Sequence, residues 1–332
     1  MRTALVTGAT GLIGSHIVER LVSDGWSVRA LVRSRSSELS ALGVETALGD
    51  VLDRDAFIDA ASGCDAIFHT AAAITTPGGW DVYRRLNIDG TSNAIAAAES
   101  SRARLLQLSS VAVYGSSGRY SGPGQKTGED KVLGPLPERA YYARSKRESE
   151  QLVLDAHASG KIWATAVRPN VVYGPRDRQF VPRIAKLLRR GIVPLIGGGR
   201  STLSVTHAAN VADGAVRAVS CDVAGGRAYN LANDYEVSVR RFFELAGDGL
   251  GRRIRFVSIP LPVASVAFNL VKSAARALTR GRFNVISNAS LGLLTEDNPF
   301  TSERARRELG WSPVVRPEHG VPEAFRWWMT HR

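Results

Sequence analysis

Cysteine is almost absent from this chain of 332 residues, which contains only Cys64 and Cys221 and no Cys-x-x-Cys pair. Two distant cysteines argue against a disulfide framework and against a cysteine metal site, and they suit a reducing compartment. No apolar run approaches the length of a membrane span, and the start, MRTALVTGAT, is too short for a signal peptide. We therefore expect a cytoplasmic protein with no membrane span, no disulfide and no metal ion.

Acidic residues are outnumbered by basic ones, and the formal net charge is +12. The arginines are nevertheless scattered along the chain, as Arg29, Arg84 and Arg217 illustrate, and no basic tract stands out. Net charge bears on non-specific binding and not on fold. We therefore expect no nucleic-acid partner, and a phosphate-rich cofactor would use part of the charge. A hydrophobic content of 44% is typical of a globular protein with a sizeable core.

The first half of the chain alternates between strand-like and helix-like segments. Apolar runs predict strands at 2–7, 27–32, 44–49, 65–71, 104–110 and 161–169. Helical periodicity predicts helices at 12–24, 54–62, 80–101 and 140–158. Such alternation predicts an α/β protein with a doubly wound parallel sheet, the Rossmann arrangement.

Two features divide the chain further. Residues 114–138 are rich in glycine, proline and serine and predict a long loop, which in a compact domain is usually functional. After Pro175 the alternation weakens. We expect a dinucleotide-binding domain at 1–175, its core extended by later segments. Residues 176–332 should mainly form a smaller substrate-binding lobe, interleaved with that core.

The stretch TGATGLIG, residues 7–14, follows the first predicted strand and opens the first predicted helix. In this context a glycine triplet strongly indicates a dinucleotide site. Gly8 permits a tight turn, Gly11 lets the backbone approach a pyrophosphate, and Gly14 lets the helix pack closely on the sheet. The helix N-terminus offers free N–H groups to the anion.

The end of the second predicted strand indicates which dinucleotide binds. An NAD site places an acid there for the ribose hydroxyls, but this chain has Arg33, followed by Ser34 and Arg35. A guanidinium pairs with a 2′-phosphate, so NADP is favoured and NAD stays possible. Arg33 could also be an ordinary solvated residue. Asp50, after the third strand, could hydrogen-bond the adenine.

The hexapeptide YYARSK, residues 141–146, contains a candidate proton shuttle. Tyr142 has Lys146 four residues later on the same helical face, whereas Tyr141 has Ser145 there. An ammonium group and an oxidised nicotinamide would lower the pKa of the phenol and allow it to move a proton. Ser109 and Ser110 end the fifth strand, at the sheet edge where ligands bind, and can supply a second hydrogen-bond donor.

The motifs TGATGLIG, GDVLD, FHTAAA, NIDGTSNAI, SSVAVYG, YYARSK, VRPNVVYGP and TSERARRELGWSP stand in this order nearly end to end. Together they resemble the extended short-chain dehydrogenase/reductases, the NAD-dependent epimerase/dehydratase group. The resemblance implies that Ser110, Tyr142 and Lys146 are catalytic and that a homodimer is possible. The cofactor contacts that we expect are Gly8, Thr10, Gly11, Leu12, Ile13, Gly14, Arg33, Asp50, Val51, Ala71, Lys146, Pro169 and Val171.

Departures from the family patterns narrow the range of reactions that the chain is expected to catalyse. The chain has Ser-Ser-Val where dehydratases carry Thr-Asp-Glu, and it has Leu203 where nucleotide-sugar members carry a phosphate-pairing arginine. Arg176, Arg178 or Arg200 could substitute for that arginine. The segments 259–281 and 283–300 resemble the dihydroflavonol-reductase-like and 3β-hydroxysteroid-dehydrogenase-like branch, which acts on apolar ketones and alcohols. An apolar helix over 261–278 would suit such substrates, although it could also pack only on its own lobe.

These observations predict an NADP-dependent reductase or dehydrogenase for an apolar or aromatic small molecule, with Tyr142 moving the proton. One alternative is an NAD-linked nucleotide-sugar 4-epimerase or reductase. A non-catalytic NADP-binding sensor is an alternative of another class, but a sensor has no need of a serine–tyrosine–lysine set.

Overall fold

The computed structural model describes residues 2–115, 125–189, 191–232, 234–260 and 295–331. The predicted apolar helix at 261–278 lies outside the described residues, as does part of the predicted loop, 116–124. The strands are β1 Thr3–Thr7, β2 Ser27–Val32, β3 Glu45–Leu48, β4 Ala66–His69, β5 Arg104–Leu108, β6 Ala164–Pro169, β7 Val171–Tyr173, β8 Ile192–Ile196, β9 Val205–His207, β10 Ala228–Leu231 and β11 Arg255–Ile259. The helices are α1 Leu12–Ser23, α2 Ser37–Ala41, α3 Arg54–Ala61, α4 Gly79–Tyr83, α5 Gly90–Ser101, α6 Tyr141–Ala158, α7 Phe180–Leu188, α8 Ala208–Ser220, α9 Val239–Gly249, α10 Glu303–Leu309 and α11 Pro317–Thr330.

Seven parallel strands form the main sheet, in the order β10-β6-β5-β4-β1-β2-β3. The chain runs outward from β1 through β2 to β3 and then returns to the other side of β1 as β4. This reversal creates a switch point between β1 and β4, where doubly wound sheets bind ligands. The predicted Rossmann arrangement is confirmed.

Helices cover both faces of this sheet, which explains why its strands are almost continuously apolar. On one face α1 packs against α8, and the core there includes Ile17, Val211 and Trp311. On the other face α3, α5 and α6 contribute Phe57, Ile95 and Val153 to a second core. The sheet is therefore held rigidly between two apolar layers.

A smaller lobe has its own apolar core. Tyr173, Phe242, Phe243 and Phe325 pack together there, all of them essentially buried. Two short parallel pairs, β8 with β11 and β7 with β9, belong to this half of the chain. The chain returns to the main sheet as β10, so the lobe is interrupted in sequence.

One predicted helix is divided. The segment expected as a single helix over 80–101 consists of α4, a π-helical turn at Arg84–Asp89, and α5. A π turn adds a residue to the helical turn and often occurs at functional sites. Within the described ranges, no helix combines the length and apolarity needed to cross a membrane.

Candidate active site

The glycine loop between β1 and α1 is packed so tightly that side chains cannot be added to it. Gly8 has a φ of 66°, in the left-handed region, and a Cβ atom there would lie 2.8 Å from the Thr70 hydroxyl oxygen. A Cβ atom at Gly14 would lie 2.2 Å from the Gly8 carbonyl oxygen. The glycines therefore leave the loop backbone uncovered by side chains beside the first turn of α1.

The N-terminus of α1 suits an anion. Gly11 stands at its N-cap and offers no side chain, and the first turn has no acidic residue. Free backbone N–H groups at a helix N-terminus bind phosphate. Thr10, Leu12 and Ile13 lie in this loop and first turn, at the switch point. The residues present thus fit a dinucleotide, as the sequence predicts.

Thr7, at the end of β1, organises the adjacent end of β4. Its hydroxyl oxygen accepts hydrogen bonds from the backbone N–H groups of Thr70 and Ala71, at 3.2 and 3.3 Å. The hydroxyl proton is then left for Nδ1 of His69, 2.9 Å away. Burial and, to a smaller extent, the charge of Lys146 lower the pKa of His69 to about 3, so His69 is neutral. This network fixes Ala71 beside the glycine loop.

The residues predicted to contact the adenosine half follow neighbouring strand ends. Arg33 comes directly after β2, its side chain is exposed, and none of the described residues hydrogen-bonds it. Asp50 follows β3, and its carboxylate accepts a hydrogen bond from the Leu52 backbone at 2.9 Å. Asn93 donates to the carbonyl of Val51 at 2.9 Å, which holds this turn against α5. Arg33 is thus free to pair with an anionic group.

The two tyrosines at the start of α6 have different surroundings. The ring of Tyr141 lies between the rings of Trp80 and Tyr83, with centroids 6.3 Å away in both cases. Burial raises the pKa of the Tyr142 phenol, while a hydrogen bond with the Ser110 hydroxyl acts in the opposite direction. The structure therefore brings together the side chains of Ser110 and Tyr142.

Ser110 and Ser109 are also distinguished by their surroundings. The Ser110 hydroxyl accepts a hydrogen bond from the Ala112 backbone at 3.2 Å and so begins the short 3₁₀ turn Val111–Tyr114. The hydroxyl of Ser109 is buried and finds no hydrogen-bond partner among the described residues. Of the two serines, only Ser110 meets Tyr142.

Lys146 lies one helical turn after Tyr142 and is 3% exposed. Its ammonium donates a hydrogen bond at 2.7 Å to the carbonyl of Leu108, the last residue of β5. Burial lowers the pKa of Lys146 to about 8, and the Glu150 carboxylate acts against that shift. The sequence predicted that an ammonium group and an oxidised nicotinamide would lower the pKa of the Tyr142 phenol. In this structure the pKa of Tyr142 is raised instead, because burial outweighs the other influences on the phenol.

Asn87 is a candidate site residue that the sequence interpretation missed. It lies in the π-helical turn and is 1% exposed. Its amide accepts from the Ala73 backbone N–H at 2.7 Å and donates to the Ala73 carbonyl at 3.1 Å and to the Ser145 hydroxyl at 2.8 Å. It thereby ties the segment after β4 to α6. The motif NIDGTSNAI contained this residue, but only the π turn directs its side chain inward.

Pro169 ends β6 and Val171 begins β7, so both flank the passage from the main sheet to the smaller lobe. Asn170, between them, donates hydrogen bonds to the Ser204 hydroxyl at 3.0 Å and to the Ala232 carbonyl at 2.9 Å. These bonds fix the backbone of the stretch that is expected to contact the nicotinamide.

The position expected to hold a phosphate-pairing arginine is apolar and closed. Leu203 is 2% exposed and belongs to the core of the smaller lobe. Of the three arginines that could replace it, Arg176 donates to the Ser15 hydroxyl at 2.8 Å and pairs with Glu19 at 2.7 Å. Arg176 is therefore already engaged on α1, whereas Arg178 and Arg200 are exposed.

Comparisons with known proteins identify the family of the chain. The model of the NAD dependent epimerase/dehydratase family matches residues 4–232. A 4-hydroxy-2-methyl-3-oxo-4-farnesyl-3,4-dihydroquinoline-1-oxide ketoreductase from Stigmatella aurantiaca is 34% identical over 97% of this chain and 95% of its own length. A 2-alkyl-3-oxoalkanoate reductase from Stenotrophomonas maltophilia is 31% identical over 96% of each chain.

Among solved structures, a UDP-N-acetylglucosamine 4-epimerase from Methanobrevibacter ruminantium has the same fold, with a TM-score of 0.74. It is 21% identical, and the match covers 100% of this chain and 99% of that one. At this identity the likeness concerns the fold alone. The chain therefore belongs to the NAD dependent epimerase/dehydratase family and is an NAD(P)-dependent oxidoreductase of the extended short-chain dehydrogenase/reductase type.

Proposed function

We propose that the protein is an NADPH-dependent reductase of apolar ketones in which Tyr142 delivers the proton. The observation that carries this proposal is the proximity of the Ser110 hydroxyl to the Tyr142 phenol, with Lys146 one turn further along α6. A bound NADPH supplies the hydride to the carbonyl carbon. Tyr142 donates its phenolic proton to the carbonyl oxygen, and the Ser110 hydroxyl holds that oxygen in place. The reverse reaction uses the same residues with Tyr142 as the proton acceptor.

The environment of Tyr142 favours the reductive direction. Because burial raises its pKa, the phenol keeps its proton at neutral pH and is ready to act as an acid. Lys146 holds a positive charge below about pH 8. We infer that this charge stabilises the phenolate left after proton donation and that the ammonium binds the ribose of the nicotinamide nucleotide. Reduction should therefore weaken as the pH rises through the Lys146 pKa.

The choice of NADPH rests on Arg33. An exposed guanidinium at the end of β2, with no partner among the described residues, is available to a 2′-phosphate. No acid stands at that strand end to hold ribose hydroxyls instead.

The choice of an apolar substrate rests on Leu203 and Arg176. A buried leucine at the expected anchor and an arginine already paired with Glu19 leave a sugar diphosphate without those contacts. The two related reductases carry names that describe oxo compounds with farnesyl or alkyl groups. We infer that the substrate lies between the carboxyl edge of the main sheet and the lobe formed mainly by residues 176–332.

Turnover of NADPH by the purified protein tests the proposal. A panel of alkyl and aryl ketones and a panel of UDP- and dTDP-sugars would be compared in the same buffer, with Tyr142→Phe as the inactive reference. Ketone-dependent consumption of NADPH that Tyr142→Phe loses supports the proposal. Conversion of a nucleotide sugar with no reaction on any ketone would overturn it.

A further inference from the structure

A buried network of charged and polar side chains connects α6 with β6. Arg168 on β6 pairs with Glu150 on α6, its Nε donating to the two carboxylate oxygens at 2.9 and 3.2 Å. The two side chains are only 7% and 4% exposed. Arg168 Nη1 also donates to the Tyr114 hydroxyl at 2.8 Å, which in turn donates to the Asn230 amide oxygen at 2.9 Å.

The network joins the segments that carry the catalytic residues. Tyr114 ends the 3₁₀ turn that Ser110 begins, and Arg168 immediately precedes Pro169. Glu150 follows Lys146 by four residues on α6, so the two side chains share one helical face. A change in the network should therefore affect three segments: the 3₁₀ turn that follows Ser110, helix α6 and the end of β6.

A buried lysine needs a compensating negative charge to remain protonated. The ionisable groups around Lys146 and the network are Glu150, Tyr142 and Arg147 on α6, His69 on β4, Arg168 on β6, Tyr114 on the serine turn, and Glu129 at the backbone N–H of Asn230. Of these, His69 is neutral. Glu150 is the carboxylate that acts directly on Lys146.

We propose that Glu150 is a positioning residue whose carboxylate, oriented by Arg168, keeps Lys146 in its charged form at the pH at which the enzyme works. The inference rests on the proposed function for its catalytic meaning, because it is the charged lysine that serves Tyr142 there. Arg168 holds the carboxylate in a bidentate pair, so the position of the negative charge is fixed. Without that carboxylate, no nearby negative charge among the described residues opposes the lowering of the Lys146 pKa by burial.

The test is a direct titration of Lys146 in the protein without cofactor. The chain has only six lysines, Lys126, Lys131, Lys146, Lys161, Lys186 and Lys272. Lysine labelled isotopically at its ε carbon therefore gives few NMR signals, and Lys146→Arg identifies the one of interest. The wild-type signal should titrate near pH 8. In Glu150→Gln the midpoint should fall by about 1 pH unit, the usual effect of losing a nearby opposite charge.

Glu148→Gln is the matched control. It makes the same chemical change on the same helix, but Glu148 is 48% exposed and pairs only loosely with Arg144, at 3.9 Å. The Lys146 midpoint should not move in this variant. Should Glu150→Gln fail to fold, the double variant Glu150→Gln/Arg168→Met removes both buried charges, a replacement that proteins often tolerate. It should lower the midpoint by less than Glu150→Gln does, because loss of the Arg168 charge offsets part of the loss of the carboxylate.

A Lys146 midpoint that stays at the wild-type value in the Glu150 variants would overturn the inference, whatever their activity. Ketone reduction adds a second readout: its loss at alkaline pH should begin about 1 pH unit lower in Glu150→Gln than in Glu148→Gln. If the midpoint falls but no ketone is reduced even by wild type, the proposed function fails and the role of Glu150 toward Lys146 stands.

Discussion

At the scale of single residues, the two adjacent tyrosines are separated by what each side chain meets. Tyr141 packs between Trp80 and Tyr83, whereas the hydroxyl of Tyr142 meets that of Ser110. The helical spacing to Lys146 already favoured Tyr142 in the sequence, and the geometry is consistent with that choice.

Replacing Tyr142 by phenylalanine should abolish proton transfer while leaving the cofactor site intact. We expect ketone reduction by Tyr142→Phe to fall by about 10²–10⁴-fold, the usual worth of a positioned acid. Tyr141→Phe is the control and should lose much less, because its ring packing is retained. Steady-state turnover and NADPH affinity measure the two effects. Equal losses of turnover in both variants would show that the proton comes from elsewhere.

Arg33 should decide between the two nicotinamide dinucleotides. A charged hydrogen bond to the 2′-phosphate is worth about 1.5–3 kcal/mol, so wild type should bind NADPH at least about tenfold more tightly than NADH. Arg33→Asp should reverse that preference, whereas Arg253→Asp, at an exposed arginine of the smaller lobe, should not. Dissociation constants from fluorescence titration measure the preference. Equal affinity of wild type for NADH and NADPH would show that Arg33 does not bind the 2′-phosphate.

At the scale of elements, hydrophobic periodicity predicted β1 to β6 of the main sheet to within a few residues, but not its seventh strand, β10, or helix α8. The glycine loop and the strand-end positions of Arg33 and Ser110 followed from that pattern. The π-helical turn was not predicted, and the bonds that Asn87 makes from it reach Ala73 and Ser145, which are 14 and 58 residues away in the sequence. The partnership of Arg168 with Glu150 is tertiary for the same reason.

The glycine loop offers a test at this scale. In Gly14→Ala the new methyl group would lie 2.2 Å from the Gly8 carbonyl oxygen, so the loop must shift away from α1. Overpacking of this kind costs about 1–3 kcal/mol. NADPH affinity and the melting temperature should both fall. Gly134→Ala is the control, because a methyl group there meets nothing within 4 Å. Unchanged NADPH affinity in Gly14→Ala would exclude the loop as the pyrophosphate site.

At the scale of the whole molecule, we propose that the main sheet supplies the catalytic and cofactor residues and that the smaller lobe selects the substrate. The sequence predicted the Rossmann arrangement well because burial on both faces imposes long apolar strands. The lobe was harder to predict, because its short strands form two separate pairs among the described residues, β7 with β9 and β8 with β11. The closed, apolar position of Leu203 within that lobe is the feature that separates ketones from nucleotide sugars in this account.

Binding along a homologous series of ketones tests the central claim most directly. Dissociation constants would be measured for ketones that differ by single methylene groups, beside UDP- and dTDP-sugars, with NADPH present. An apolar site should gain about 0.8 kcal/mol, or roughly fourfold in affinity, for each methylene that leaves water, and the nucleotide sugars should bind weakly or not at all. A flat response along the series, together with tight binding of a nucleotide sugar, would contradict the account.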